Sequence, residues 1–169
     1  MYDYHSLIEE QIPRLRRYAR ALTGERQAAD DLVQGTLERA LSRFHLWRRG
    51  SDLRAWLFTI MHNLYVNQLR SRIRERLEPL DPDELTMPVR ANQTDLLEVR
   101  DLDHALARLP EEQRWVLLLV GLEQLTYGEA ARVLGIPIGT VMSRLSRGRE
   151  RLRALLSAEA VVTTLKVVK

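Results

Sequence analysis

LTYGEAARVLGIPIGTVMSRLSRGRERLR, running from Leu125 to Arg153, is the stretch that decides the fold. Thr126 and Glu129 have capping-box spacing, with Leu125 and Ala130 placed as a hydrophobic staple, so a short helix is predicted over Thr126 to Leu134. Gly135, Ile136, Pro137 and Ile138 make a sharp turn. A longer helix is predicted over Thr140 to Leu156, anchored by Val141 and Leu145. Short helix, tight turn and longer helix form the helix-turn-helix pattern, and Ala131 is small where the two helices must approach. The longer helix offers Ser143, Arg144, Ser146, Arg147, Arg149, Arg151 and Arg153 to its other faces. Its N-terminal half suits a major groove, where Arg147 can grip guanine and Ser143 a base edge. The remaining arginines suit phosphates, and binding through them depends strongly on salt. The competing reading is a basic solvated helix on a protein-binding domain.

Upstream of this motif, Asp95 to Leu109 reads as a helix. Pro110 fits the first position of the next one, with Glu111 and Glu112 favourable at its positive end. These pieces make a second domain over residues 95–157, followed by a tail, 158–169. Between Glu78 and Thr94 the composition changes. Pro79, Pro82 and Pro88 mix with Asp81, Asp83 and Glu84, which opposes helix and favours a solvated chain. Residues 77–94 are read as a flexible linker; the seventeen residues from Glu78 to Thr94 reach roughly 55–60 Å when extended.

The N-terminal part, residues 1–76, is again helical. A helix from Ser6 to Leu22 is predicted, with Ser6 and Glu9 at capping-box spacing and Gly24 as its stop. A second runs from about Arg26 to Phe44, burying Ala29, Leu32, Val33, Thr36, Leu37, Ala40 and Leu41 at helical steps. A third runs from about Leu53 to Arg76, with Trp56, Leu57, Ile60, Met61 and Leu64 on one face. No strand alternation appears. The fold class is all-α: two small helical domains joined by a linker, the second with a helix-turn-helix.

Opposite the apolar stripe of the second helix stand Asp30, Asp31, Gln34 and Glu38, of which residues 30, 34 and 38 share a face. That face is wrong for DNA; it is either solvated or docks on a basic protein surface. The following loop and helix differ. Arg43, Arg48, Arg49 and Arg54 gather with Trp47 and Ser51, and Asn63, Tyr65, Asn67, Arg70, Arg72, Arg74 and Arg76 follow. Arginines mixed with aromatics and amides suit single-stranded DNA, whose unstacked bases take π-faces and hydrogen bonds. Trp56 fits the core better than a stacking role.

Composition bounds the function further. The 169 residues are 45% hydrophobic and 29% charged, with a formal net charge of +3 and no cysteine. Disulfides and thiolate chemistry are excluded. Only Lys166 and Lys169 are lysines; the arginine bias fits phosphate and guanine recognition or a GC-rich coding sequence. The four histidines, His5, His45, His62 and His104, are scattered, and neither a Walker loop nor a nucleophile elbow is present. No enzyme, metal or cofactor is expected. The apolar run from Trp115 to Leu122 is far short of the ~20 residues of a membrane span. With no signal peptide evident at Met1 to Tyr4, the expected location is the cytoplasm.

Four blocks in order, DDLVQGTLERAL (Asp30 to Leu41), RAWLFTIMHNLYVNQLR (Arg54 to Arg70), LPEEQRWVLLLV (Leu109 to Val120) and the quoted segment, resemble the extracytoplasmic-function sigma factors. The likeness covers about Tyr18 to Leu155. It implies that residues 1–76 are sigma region 2 and 95–157 sigma region 4. It implies that Asp30, Asp31, Gln34 and Glu38 bind core RNA polymerase. Trp47, Arg48, Arg49, Ser51, Arg54, Asn63, Asn67 and Arg70 would then meet the melted −10 element. Thr140, Met142, Ser143, Arg144, Ser146, Arg147 and Arg149 would meet the duplex −35 element. An anti-sigma factor is the further partner implied. A helix-turn-helix regulator that binds duplex DNA without polymerase is the alternative, and it needs neither the acidic second helix nor the arginine–aromatic third. Gly35, Met142, Gly128 and Gly148 depart from the residues frequent at these places in the family.

Overall fold

A computed structural model describes residues 3–77 and 97–167, except the side chains of 97–99 and 159–167; most of the expected linker lies outside them. Eight α-helices follow in order: α1 (Tyr4–Glu9), α2 (Ile12–Thr23), α3 (Arg26–Ser42), α4 (Leu53–Leu77), α5 (Leu97–Ala107), α6 (Glu111–Leu117), α7 (Tyr127–Leu134) and α8 (Ile138–Val167). A 3₁₀ turn over Phe44–Leu46 separates α3 from α4, and a π-helical turn over Leu118–Leu122 continues α6. There is no strand among the described residues.

The single first helix expected over Ser6 to Leu22 is in fact two. Pro13 lies in the first turn of α2, where its missing N–H costs nothing, and the chain breaks just before it at Glu10 and Gln11. The cap also differs. Asp3, not Ser6, is the N-cap of α1, accepting from the His5 N–H, while the Ser6 hydroxyl donates to the Asp3 carbonyl. Gly24 does end α2, in the left-handed region at φ 69°. The last helix begins two residues before the expected start and runs on through most of the tail, to Val167.

Within the N-terminal half, Leu15, Tyr18, Ala19 and Leu22 of α2 pack with Ala29, Leu32, Val33 and Ala40 of α3 and Leu57, Phe58, Met61 and Tyr65 of α4. In the C-terminal half, Val116, Leu118 and Leu119 meet Val133 of α7 and Val141 and Leu145 of α8. The two groups form one continuous apolar cluster. The halves therefore lie against each other, with α4 packed on α7 and α2 on the π turn. The sequence predicts two small helical domains joined by a linker, and it carries no sign of this packing between them. Trp115, edge-on to His62 and Tyr65, serves the intramolecular seam as well as its own domain, and periodicity within one helix cannot separate those uses.

Candidate nucleic-acid and polymerase interfaces

The capping box that opens the helix-turn-helix is present in both directions. Thr126 accepts from the Glu129 N–H at 3.1 Å, and Glu129 accepts from the Thr126 N–H at 3.3 Å. Gly135 turns the chain at φ 65°, a conformation that glycine reaches without a Cβ penalty. The turn sets α8 with Val141, Leu145 and Gly148 buried against α6 and α7. Gly148 has a packing reason to be glycine: a Cβ there would come 3.0 Å from Leu117 Cδ1, 3.2 Å from its Cγ and 3.4 Å from Gln113 Cβ. Gly35 and Gly128 have no such crowding.

Burying that side leaves the other free. Met142, Ser143, Ser146, Arg147 and Arg149 are exposed, while Thr140 and Arg144 are half-buried. Arg144 is engaged by Glu112 at 3.3 Å. The Ser143 hydroxyl donates to the Thr140 carbonyl, which leaves the oxygen lone pairs for an outside donor. Ile138 and Tyr127 are exposed beside Met142, and neither stood out from sequence. Their signal was the four-residue step from Ile138 to Met142, which places both on one face. An open groove lined by Tyr127, Met142, Ser146, Arg149 and Arg153 follows this side of α8.

On α3, Asp30, Asp31, Gln34 and Glu38 are all exposed, opposite the buried Ala29, Leu32, Val33, Thr36 and Ala40. Gln27 donates to Asp31 and Gln34 to Glu38, each one turn along the helix. These bonds hold the carboxylates outward as a ready-made acidic strip.

The −10 set splits into two. Arg48, Arg49 and Ser51 are exposed on the loop, with Trp47 half-buried beside them; the Ser51 hydroxyl donates to the Arg48 carbonyl at 2.6 Å. Asn63, Asn67 and Arg70 are exposed along one face of α4. Arg54 is different. Its Nη2 donates to Glu129 at 3.2 Å, and its Nη1 to the Glu123 carbonyl at 3.5 Å. A side chain expected on DNA is thus held by the helix-turn-helix half.

More of the seam is polar. Arg17 forks onto Glu123 with bonds of 3.0 and 3.1 Å, and the Glu123 side chain is fully buried. That bidentate geometry holds the Arg17 guanidinium above its usual pKa. The π turn makes the pairing possible: the Glu123 N–H reaches back to the Leu118 carbonyl, and Gln124 takes a left-handed φ of 56°. Tyr65 donates to Glu111 at 3.3 Å and accepts from Arg114 at 3.1 Å. His62 meets Trp115 edge-on at 4.8 Å. Burial pushes the His62 imidazole down to about 4. Sequence reasoning missed Arg17, His62 and Glu123, because a charge at the seam looks like any surface charge in a linear pattern. Among the described residues, no His, Asp and Glu group that could hold a metal is present, and no helix is long and apolar enough to cross a membrane.

Comparison with known proteins agrees with this architecture. Residues 8–62 match the Sigma2 domain of PhyR, and residues 100–152 match Sigma-70, region 4. The ECF RNA polymerase sigma factor EcfG of Rhodopseudomonas palustris is 42% identical over 145 residues, 86% of this chain and 80% of the relative. The ECF RNA polymerase sigma factor SigM of Mycobacterium tuberculosis is 31% identical, over 92% of this chain and 78% of the relative. The sigma factor RpoE of Bartonella quintana, solved in complex with the anti-sigma factor NepR, superposes with a TM-score of 0.79 at 34% identity, covering 93% of this chain and 98% of that one. With regions 2 and 4 both present in order and a relative this similar over most of its length, the chain belongs to the ECF sigma factors of RNA polymerase.

Proposed function

We propose that this sigma factor docks on core RNA polymerase through Asp30, Asp31, Gln34 and Glu38. Trp47, Arg48, Arg49, Ser51, Arg54, Asn63, Asn67 and Arg70 hold the melted −10 element. Thr140, Met142, Ser143, Arg144, Ser146, Arg147 and Arg149 read the duplex −35 element. The role is one of binding and positioning in the cytoplasm and not of catalysis by this chain. The observation that carries the reading is the two-sided build of α8: Val141, Leu145 and Gly148 lock one side into region 4. The other side presents Met142, Ser146, Arg147 and Arg149 outward. The acidic strip of α3 supports the polymerase assignment, since a simple duplex-binding regulator has no use for it.

Holding the −10 element requires Arg54 to exchange Glu129 for promoter DNA, so the seam between the halves opens when the promoter is bound. An anti-sigma factor that keeps region 2 and region 4 together would hold the chain inactive; the Bartonella relative was solved in complex with an anti-sigma factor. The test is run-off transcription by core polymerase from a library of genomic fragments. Defined transcripts that require the chain, and that vanish with Arg147→Ala, support the reading. Transcription unchanged by the chain, with duplex DNA still bound, would show a regulator that is no polymerase subunit.

A further inference from the structure

Arg14, Arg16 and Arg20 of α2 belong to none of the surfaces assigned so far. The helix reads IPRLRRYARALT; it buries Leu15, Tyr18, Ala19 and Leu22 and exposes Arg14, Arg16, Arg17 and Arg20 on the opposite side. Among the eight described helices, α2 alone carries no Asp or Glu. Arg17 is taken by Glu123 across the seam. Arg14, Arg16 and Arg20 form no ion pair among the described residues, not even with Glu9, Glu10 or Glu25 at the ends of the helix. This charge works against the helix. Arg14 and Arg17, Arg16 and Arg20, and Arg17 and Arg20 stand one turn apart with like sign. Arg20 suits the last turn, but Arg14 sits in the first, where the helix dipole disfavours a cation. A face kept only for solubility mixes both signs. Arginine-rich coding does not account for the missing carboxylates, since α3, α4 and α8 all carry Asp or Glu among their arginines.

We infer that Arg14, Arg16 and Arg20 form a further DNA-binding surface, one that grips the phosphates of duplex DNA adjoining the −10 element without reading sequence. Guanidiniums fork onto phosphate oxygens, and a face whose only charges are arginines fits a polyanion that repeats its charge along a line. No large apolar side chain of α2 is exposed, so the face lacks the anchors on which a protein–protein interface is centred. The helix leading into α2 is fixed to the loop given to the −10 element: the Tyr4 ring of α1 lies 4.7 Å from Phe44, and the Arg49 guanidinium lies 5.2 Å over Tyr4. That contact ties the arginine face to the edge of the −10 surface. In the closed chain Glu123 keeps Arg17 from joining the face, and opening of the seam releases it as a fourth cation. The inference rests on the chain binding promoter DNA together with core polymerase.

The experiment uses the full chain assembled with core polymerase. The probes are a duplex from a promoter that this holoenzyme transcribes and a scrambled duplex of the same length, each titrated over a range of salt concentrations. Arg14→Gln, Arg16→Gln and Arg20→Gln are combined, because glutamine keeps the helix propensity of arginine. The triple variant is expected to flatten the plot of log affinity against log salt by about 1 for each arginine replaced and to weaken both duplexes in the same proportion. Arg16→Gln alone should flatten it by about 1. Lysine at all three positions keeps the slope, and core affinity stays at the wild-type value in every variant. An unchanged slope in the triple glutamine variant overturns the inference. So does a loss that follows weakened core binding, which would make the face a polymerase contact. A loss confined to the promoter duplex overturns it as well, since the arginines would then read sequence. A wild-type holoenzyme that binds both duplexes alike defeats the promoter reading instead, while the slope still reports on the α2 face.

Discussion

At the scale of single residues, Glu123 and His62 decide how firmly the halves stay together. Glu123 is a fully buried carboxylate whose neutralising partner, Arg17, is 53% exposed at its side chain. Removing the arginine leaves an unpaired charge away from water, the costly half of a buried pair. Arg17→Met is expected to destabilise the chain by roughly 2 kcal/mol in urea unfolding, less than for a fully buried pair because Arg17 is half in solvent. Double replacement with Glu123→Leu should recover most of the loss. His62 links the seam to pH. It titrates near 6.5 when unfolded and at about 4 when folded, because burial beside Trp115 disfavours the imidazolium. Between those values the unfolded chain holds a proton that the folded chain lacks. This contribution is therefore intact above pH 6.5 and lost as pH falls toward 4, by roughly 3 kcal/mol in total. Urea midpoints measured from pH 7 to pH 4 should show that slope, and His62→Leu should flatten it.

At the scale of elements, the helices were legible because their apolar steps and stops are local. The Thr126–Glu129 box, the Gly135 turn and most of the buried face of α3 follow from spacing alone, although Leu41, expected in the stripe, is exposed. On α4 only Leu57 and Met61 of the expected face are fully buried; Phe58, His62 and Tyr65 are buried beside them, which takes Tyr65 out of the set read from sequence as suited to single-stranded DNA. The α1–α2 break was misread because Ser6 and Glu9 imitate a capping box, while Pro13 sets the true start of α2. The glycines show the same limit. Gly35 lies mid-helix with only Leu64 Cδ1 at 3.6 Å from an added Cβ, an ordinary contact. Gly35→Ala should raise stability by about 0.5–1 kcal/mol through helix propensity alone. Gly148→Ala should lower it despite the same propensity gain. Its Cβ meets Leu117 Cγ and Gln113 Cβ, atoms near the α6 backbone that cannot swing aside. Thermal unfolding of the two variants should move in opposite directions. Sequence alone ranked these glycines together, because the crowding comes from a helix some thirty residues away.

At the scale of the whole molecule, the fold class and the order of the domains could be read in advance; their mutual packing could not. Of the residues assigned from sequence, the α3 strip, the α8 face and Asn63, Asn67 and Arg70 of α4 are presented to solvent. Arg54 is instead paired with Glu129 across the seam, and Arg144 with Glu112 within region 4. Long-range pairings of this kind leave no periodic trace in the chain. They predict that the free protein binds DNA less well than its arginine content implies. Glu129→Gln keeps an amide oxygen for the capping box but removes the charge opposing Arg54. It should raise the affinity of the isolated chain for forked DNA several-fold, measured by fluorescence anisotropy at fixed salt.

The division of labour between the acidic α3 strip and the two DNA-facing surfaces is tested most directly by permanganate footprinting on a supercoiled template carrying a chain-dependent start site. Core polymerase with the wild-type chain should make thymines reactive just upstream of that start, while core alone, or core with an Asp31→Ala, Gln34→Ala chain, should leave them protected. Reactivity that persists with the doubly substituted chain at wild-type levels, or that never appears with the wild type bound to core, would contradict the account.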